Sequence, residues 1–506
     1  MNVVFRVDAS IQIGIGHVMR CLSLADEIKR LPSNIYFICR TLNGHLKKLI
    51  NQKGYEVVLL PDLEIEYKNS GYNSDFEGWL KLFWLQDANE TISIVKNDNL
   101  DWLIVDHYSI DYRWHEKLKN LSKKIMVIDD LANRKLNCDL LLDQTHGRKF
   151  EDYSHLVNNG CELLLGAKYA LLRPEFFEYR SDAINKRKEI FSINNILITM
   201  GGMDFNNITN RVIKTLFSVN WNQKPTINVV LNELAPNIQS IKALSENSNF
   251  KINIIISPDN MAELMLEADL AIGASGSSAW ERCSLGLPTL ALCTAKNQYE
   301  IAQNLQNEGV HFVVDIEDGD QIPLLINQLD ELQKNPHMLK SMSDSSFRIC
   351  DANGVHWVGF KMSPYKTKDG KKLNFRNISS RDSKIIYDWQ SNPETRKFAI
   401  NPEIPSWGDH VIWIDKKINN LLSIYWMLLH DDSPSGVLRL DPIDLEEGKG
   451  YLISIFIDPN KYNLGIGKCA LEVAKRFFPK SKLYAKILSE NKNSISLFTN
   501  AGFIFR

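Results

Sequence analysis

Residues 1–30, MNVVFRVDASIQIGIGHVMRCLSLADEIKR, decide how the chain is read. Asn2–Asp8 is a continuous apolar run of strand length, the pattern of a strand buried on both faces. A loop containing Gly14 and Gly16 follows, and then an unbroken helix-forming stretch, Val18–Arg30. Glycines let the backbone turn tightly and approach a ligand. The helix start then directs unpaired N–H groups and a positive dipole end at that ligand. His17 is the first residue after the glycines, so it stands at a helix N-terminus facing a cleft. A Gly-x-Gly turn alone is equally well a capping loop with an incidental histidine, so the remaining chain must decide.

Working outward, strands at Asn34–Arg40, Tyr55–Pro61, Asp101–His107, Lys124–Asp130 and Leu140–Gln144 alternate with helical stretches such as Arg113–Leu121. That is the βαβ pattern of a doubly wound parallel sheet. It restarts with Asn194–Met200, Thr226–Leu231, Lys251–Ser257, Leu270–Ala274, Thr289–Cys293 and His311–Asp315, with Leu171–Lys188 as the connection. Periodicity then fails, and the lysine-rich Lys361–Lys372 (KMSPYKTKDGKK) reads as a linker. Beyond it lie strands Ile424–His430, Val437–Leu440 and Tyr451–Ile457 and a helix from Gly467. The expectation is α/β throughout: Rossmann-like domains over 1–170 and 171–358, a linker over 359–372, and an α+β domain over 373–506. Two consecutive parallel domains place a ligand between them, at the carboxyl ends of the strands.

Composition narrows the partners. A net charge of -2, from 59 basic and 61 acidic residues without long runs, gives no reason to expect nucleic acid or an anionic membrane surface. No apolar stretch approaches the ~20 residues that cross a bilayer, and the N-terminus enters a strand without a signal-peptide core. The eight cysteines are scattered without a CxxC pair, which argues against a disulfide scaffold or zinc site. A cytoplasmic protein is expected.

The second domain carries its own glycine loops. Gly201 and Gly202 follow its first strand; Ser275, Gly276, Ser277 and Ser278 follow its fourth and open the helix Ala279–Leu285. Backbone N–H groups and hydroxyls at that helix start suit a pyrophosphate. Glu281, one turn in, can accept hydrogen bonds from ribose hydroxyls, or can simply pair with the helix dipole. Asn297 and Gln298 begin a helix facing the same cleft and suit a sugar, or an N-cap. Asp8, Asp106 and His107 end strands near the cleft and are candidates for binding or orientation, or for capping the next turn.

The segments RVDASIQIGIGHVMRCLSLA, DWLIVDHYSID, IDDLANR, LLLDQ, LLGAKYALLRPEF, TMGGMDFNNIT and GASGSSAWERCSLGLPTL recur in order over about Met1–Val358. As a set they resemble the UDP-2,4-diacetamido-2,4,6-trideoxy-β-L-altropyranose hydrolases of pseudaminic acid biosynthesis. The resemblance implies a two-domain, MurG-like glycosyltransferase-B (GT-B) fold with UDP on the second domain. It also implies that His17 is the catalytic histidine and places Arg173 among the substrate-binding residues. UDP is a good leaving group, so one base that activates water is the principal requirement, and no metal is expected. The rival reading is a GT-B glycosyltransferase that passes the sugar of a UDP-sugar to an acceptor, carrying a non-catalytic C-terminal module.

Over about Leu373–Arg506 the chain resembles the GNAT N-acetyltransferases. Their Arg/Gln-x-x-Gly-x-Gly loop matches Leu464, Gly465, Ile466 and Gly467, and cradles the coenzyme A pyrophosphate at a helix start. The resemblance implies acetyl-CoA as co-substrate, with Ile455, Phe456 and Ile457 presenting backbone N–H groups to the thioester carbonyl. Asn491 and Ser494 match the family's last helix. Two departures stand out: Tyr462 replaces the usual Arg or Gln, and Phe498 replaces a frequent tyrosine that protonates the thiolate. In the implied pathway, N-acetylation of a UDP-4-amino sugar immediately precedes UDP removal, so the fusion joins consecutive steps. No acid ranks as the acetyl-transfer base, although Glu446 and Glu447 are available.

Overall fold

The computed structural model describes residues 1–504 apart from 12, 63–75, 190–191, 202, 295, 316–322 and 446–447, so Gly202, Glu446 and Glu447 lie outside the described residues. The chain forms two compact units, Met1–Gly359 and Phe360–Arg506.

In the first unit, β1 (Asn2–Val7), β2 (Asn34–Arg40), β3 (Glu56–Leu60), β4 (Leu100–Asp106), β5 (Ser122–Ile128), β6 (Leu140–Asp143) and β7 (Glu162–Leu165) build one sheet. Its order is β3-β2-β1-β4-β5-β6-β7, and all neighbours are parallel. The strand β7, ELLL, is not among the strands expected from the sequence. A second parallel sheet, β8 (Asn195–Thr199), β9 (Thr226–Leu231), β10 (Ile252–Ile256), β11 (Leu270–Ala274), β12 (Thr289–Cys293) and β13 (His311–Asp315), runs β10-β9-β8-β11-β12-β13. Each central strand pair, β1/β4 and β8/β11, is a topological switch point, where the following loops part and leave a crevice.

The connection between the sheets is pinned by two buried guanidiniums. Arg180 donates to the carbonyls of Ser284, Phe347 and Cys350, and Arg187 to those of Met265, Ala268 and Leu285. The chain later returns to the first sheet's lobe through the helix Gly354–Met362, where the sequence periodicity had failed. His356 Nδ1 lies 2.8 Å from Glu27 Oε2, and a Cβ built on Gly354 would lie 2.3 Å from the Ala170 carbonyl oxygen. Alanine is the better helix former by about 1 kcal/mol. At this position the clash outweighs that gain, and Gly354→Ala is expected to destabilise the protein by about 1–3 kcal/mol. A thermal midpoint that stays level or rises would contradict so close an approach.

In the second unit, β14 (Leu373–Asn377), β15 (Ile424–His430), β16 (Ser433–Leu445), β17 (Gly448–Ile457) and β18 (Lys482–Tyr484) form a sheet in that order. Neighbours are antiparallel up to β17, while β17 and β18 run parallel. Ile386, Trp389, Ile414, Met427 and Val437 centre one core cluster. The lysine-rich stretch is no loose tether. Lys366 bridges to Lys372, Thr367 is buried with its N–H bonded to the Lys371 carbonyl, and Leu373 N–H donates to Tyr365. It reads as a linker because its ties are backbone hydrogen bonds, which composition does not report. No helix among the described residues is long and apolar enough to cross a membrane.

Candidate active site

The first switch point brings together what the sequence places 89 residues apart: His17, after β1, and Asp106, at the end of β4, meet with Nδ1 and Oδ1 2.6 Å apart. Gly14, at φ +81°, closes the preceding loop through an N–H bond to the Ser10 carbonyl, and the helix Gly16–Ile28 starts at once. Arg20, one turn on from His17, grips Asp106 with Nε and Nη2, both at 2.7 Å. Its Nη1 reaches Asp130 at 2.7 Å, and the Tyr108 hydroxyl donates to the same carboxylate at 2.8 Å. The Tyr108 ring meets the His17 imidazole edge-on, with centroids 4.6 Å apart.

Burial alone would raise the Asp106 carboxyl, but Arg20 and His17 outweigh it and hold it well below the usual carboxylate range. An ionised carboxylate only accepts, so Nδ1 carries a proton towards Asp106, and in the neutral imidazole Nε2 then keeps a lone pair. Arg20 Nη2, 3.2 Å from Nδ1, is then a flanking contact rather than a donor to it. Sequence reading missed Arg20, Tyr108 and Asp130. The available signal was the i, i+3 spacing of His17 and Arg20 on one helix face.

Two expectations are corrected. Asp8 accepts from Arg6 Nη1 and Nη2 at 2.6 and 2.9 Å and from the Arg40 N–H at 2.6 Å, and His107 Nε2 lies 3.3 Å from its other oxygen. Both Asp8 and His107 are buried, so they brace the floor beneath the switch point.

Across the crevice, a Cβ on Gly16 would lie 3.4 Å from Ser277 Oγ, so the two glycine loops face each other. Beside them lies a cavity of about 260 Å³, lined by Gly16, Arg20, Arg173, Ser277, Ser278 and Glu281 among others. His17 is not among its lining residues; Arg20 joins the cavity to the His17–Asp106 pair. Burial raises the Glu281 carboxyl against the pull of Arg173, whose Nη2 is 3.6 Å away. Ser275 is fully buried, outside the cavity lining. Gly201 adopts φ +84°, and no atom approaches within 4 Å of where its Cβ would be. Gly276 likewise leaves open space around its Cβ position. Asn297 lies in the helix Lys296–Asn307, its side chain outside the described residues. Gln298 Oε1 accepts from the Thr294 N–H and hydroxyl, both at 3.1 Å, so its oxygen caps its own helix.

In the second unit, β17 pairs with β16 along its whole length but with β18 only from Gly450 to Leu452. β18 ends at Tyr484, the partner of Leu452, which leaves one edge of Ile455, Phe456 and Ile457 without a strand partner among the described residues. Gly465, in the left-handed region at φ +83°, caps the helix Ile466–Phe477, where Leu464 ends the approach. The Ile466 side chain is core, and a Cβ on Gly467 would come 3.1 Å from Leu497, so that glycine serves helix packing. Asn491 caps the last helix by accepting from the Ser494 N–H at 3.0 Å. Phe498 is buried against Phe503.

Comparison with known proteins bears on this geometry. A hydrolase of Campylobacter jejuni, named for UDP-2,4-diacetamido-2,4,6-trideoxy-β-L-altropyranose, is 30% identical over 311 residues, which are 61% of this chain and 97% of that protein. The chain belongs to this hydrolase family. Residues 195–354 match the glycosyltransferase family 28 C-terminal domain, and residues 372–504 match the acetyltransferase (GNAT) domain. The family's part of the chain is thus fused to a GNAT domain. An uncharacterized protein of Methanocaldococcus jannaschii is 25% identical over 521 residues, covering 99% of this chain and 96% of its own, so the likeness runs through both units. The crystal structure of Acinetobacter baumannii MurG aligns with a TM-score of 0.51 at 14% identity, over 71% of this chain and 99% of that one, which shows the shared GT-B fold. The chain is therefore an enzyme of the UDP-sugar-processing GT-B class carrying an acetyltransferase module.

Proposed function

We propose that the first unit hydrolyses UDP-2,4-diacetamido-2,4,6-trideoxy-β-L-altropyranose to UDP and free sugar, by water attack at the anomeric carbon. The His17–Asp106–Arg20 array at the mouth of the crevice carries this reading. His17 Nε2 takes a proton from water, Asp106 holds the ring in the tautomer that permits it, and Arg20 fixes Asp106. Ser277 and Ser278 at their helix start receive the departing diphosphate, Glu281 the ribose hydroxyls, and Arg173 lies beside both. Asn297 is offered to the sugar end, and the Gly201 loop to the nucleotide.

The GNAT unit, in this reading, N-acetylates the 4-amino group of the UDP-amino-sugar precursor with acetyl-CoA. The edge of β17 past Leu452 and the Gly465 loop are the features that suit coenzyme A. The two activities are consecutive, and the product of the second unit is the substrate of the first.

The rival is sugar transfer to an acceptor, as a GT-B fold also serves glycosyltransferases. With the purified chain and UDP-sugar alone, equal amounts of UDP and free sugar are expected. UDP release that appears only after an acceptor is added would overturn the hydrolase reading.

A further inference from the structure

The loop that the GNAT resemblance assigns to the coenzyme A pyrophosphate lacks the Arg or Gln side-chain donor usual there, because Tyr462 stands in that place. A pyrophosphate gathers negative charge that backbone N–H groups alone neutralise in part. Of the nearby lysines, Lys461 bonds the Pro434 carbonyl and Ser435 Oγ at 3.1 and 2.9 Å, and Lys468 lies 3.8 Å from Glu472. Lys461 is engaged by both acceptors, whereas the Lys468 pair is long and exposed.

The turn 366–372 brings another. The Lys368 N–H donates to the Leu464 carbonyl at 3.0 Å. A Cβ built on Gly465 would lie 3.0 Å from Lys368 Cγ and 3.4 Å from the Lys368 backbone nitrogen. The Lys368 stem thus passes over the glycine that opens the 12-residue helix Ile466–Phe477, with Cδ also within 3.6 Å of that Cβ and Cε and the ammonium beyond it. Lys368 is exposed, and no ion pair of its ammonium is found among the described residues. The turn is held on several sides: Cys469 Sγ donates to the Lys366 carbonyl, and Asp369 accepts from Thr367 Oγ1 and faces His430 Nε2. Lys371 is engaged elsewhere, 2.9 Å from Asp431. The match to the acetyltransferase family starts at residue 372, so Lys368 is outside what that family supplies.

We infer that Lys368 is a coenzyme A-binding residue, its ammonium pairing with the pyrophosphate at the Gly465 helix start in place of the side-chain donor that Tyr462 removes. This rests on the acetyl-CoA reading above. The backbone of Lys368 is fixed at the loop before any ligand arrives, so only the end of its stem needs ordering on binding.

The test is calorimetric titration of the full chain with coenzyme A and with dephospho-coenzyme A. Lys368→Ala is expected to weaken coenzyme A binding about tenfold, a typical worth for one charged hydrogen bond. Lys368→Arg is expected to restore most of that affinity, and Lys371→Ala to leave it within about twofold. The loss from Lys368→Ala is expected to persist with dephospho-coenzyme A, which retains the pyrophosphate. Binding that ignores Lys368→Ala, or that falls with Lys366→Ala instead, overturns the inference. A loss that vanishes with dephospho-coenzyme A overturns the pyrophosphate assignment. Failure of the unaltered chain to bind coenzyme A would sink the acetyl-CoA reading itself, an outcome distinct from an effect missing only in the variant.

Discussion

His17→Ala is expected to slow UDP release by roughly 10²–10⁴-fold, the range for removing a positioned general base, with KM for the UDP-sugar little changed. The side chain lies outside the cavity lining, so its loss removes a proton acceptor and leaves the binding surface in place. Asp106→Asn separates positioning from basicity. An amide at that place can offer an N–H to Nδ1, which favours the tautomer with Nε2 protonated and so without its lone pair. A fall in kcat approaching that of His17→Ala is expected, with KM again nearly level. The measurement is steady-state UDP release for both variants across pH. Full activity in Asp106→Asn would mean that the 2.6 Å contact does not set the tautomer.

Asp87→Ala should cost about 3–5 kcal/mol of stability, the range for breaking a buried ion pair from one side. The Asp87 carboxylate is fully buried beneath the first sheet's crevice. It accepts from Arg6 at 3.2 and 2.6 Å, from Arg40 at 2.5 Å and from Trp114 Nε1 at 2.9 Å. Arg6 and Arg40 are themselves fully buried, so removing the acceptor leaves excess positive charge and an unpaired indole N–H away from water. Asp8, Glu90 and the Pro61 carbonyl remain as partners, which keeps the expected loss below that of an isolated buried charge. Thermal unfolding of the full chain reads the effect as a drop of several degrees in the transition of the first unit. A midpoint shift within experimental scatter would show the network to be dispensable.

The parallel sheets were legible because buried strands such as Thr226–Leu231 and Thr289–Cys293 are unbroken apolar runs set between helix-forming stretches. The glycine loops after β1 and β11 were legible for the same reason: a turn and a helix start leave local marks. What escaped was long-range. Nothing near Asp8 reveals that Arg40 and His107 will join Arg6 around it, or that Asp87, in the helix Phe76–Val95 and 81 residues from Arg6, will complete the network. A strand-end acid reads the same whether it faces a cleft or a buried arginine. Gln298 and Asn491 show the opposite ambiguity, since a polar side chain at a helix start suits both ligand and cap, and in both an oxygen is taken up in capping. The turn 366–372 was hidden by its lysines, whose charged ends stay in water while their backbone is tied to the fold.

The most direct test of the account is hydrolysis of UDP-2,4-diacetamido-2,4,6-trideoxy-β-L-altropyranose by the purified chain in ¹⁸O-labelled water, with products weighed by mass spectrometry before the label can exchange. Water activated by His17 at the anomeric carbon places the label in the free sugar and leaves UDP unlabelled. Label in UDP would mean attack at phosphorus, and would contradict the role assigned to the His17–Asp106–Arg20 array.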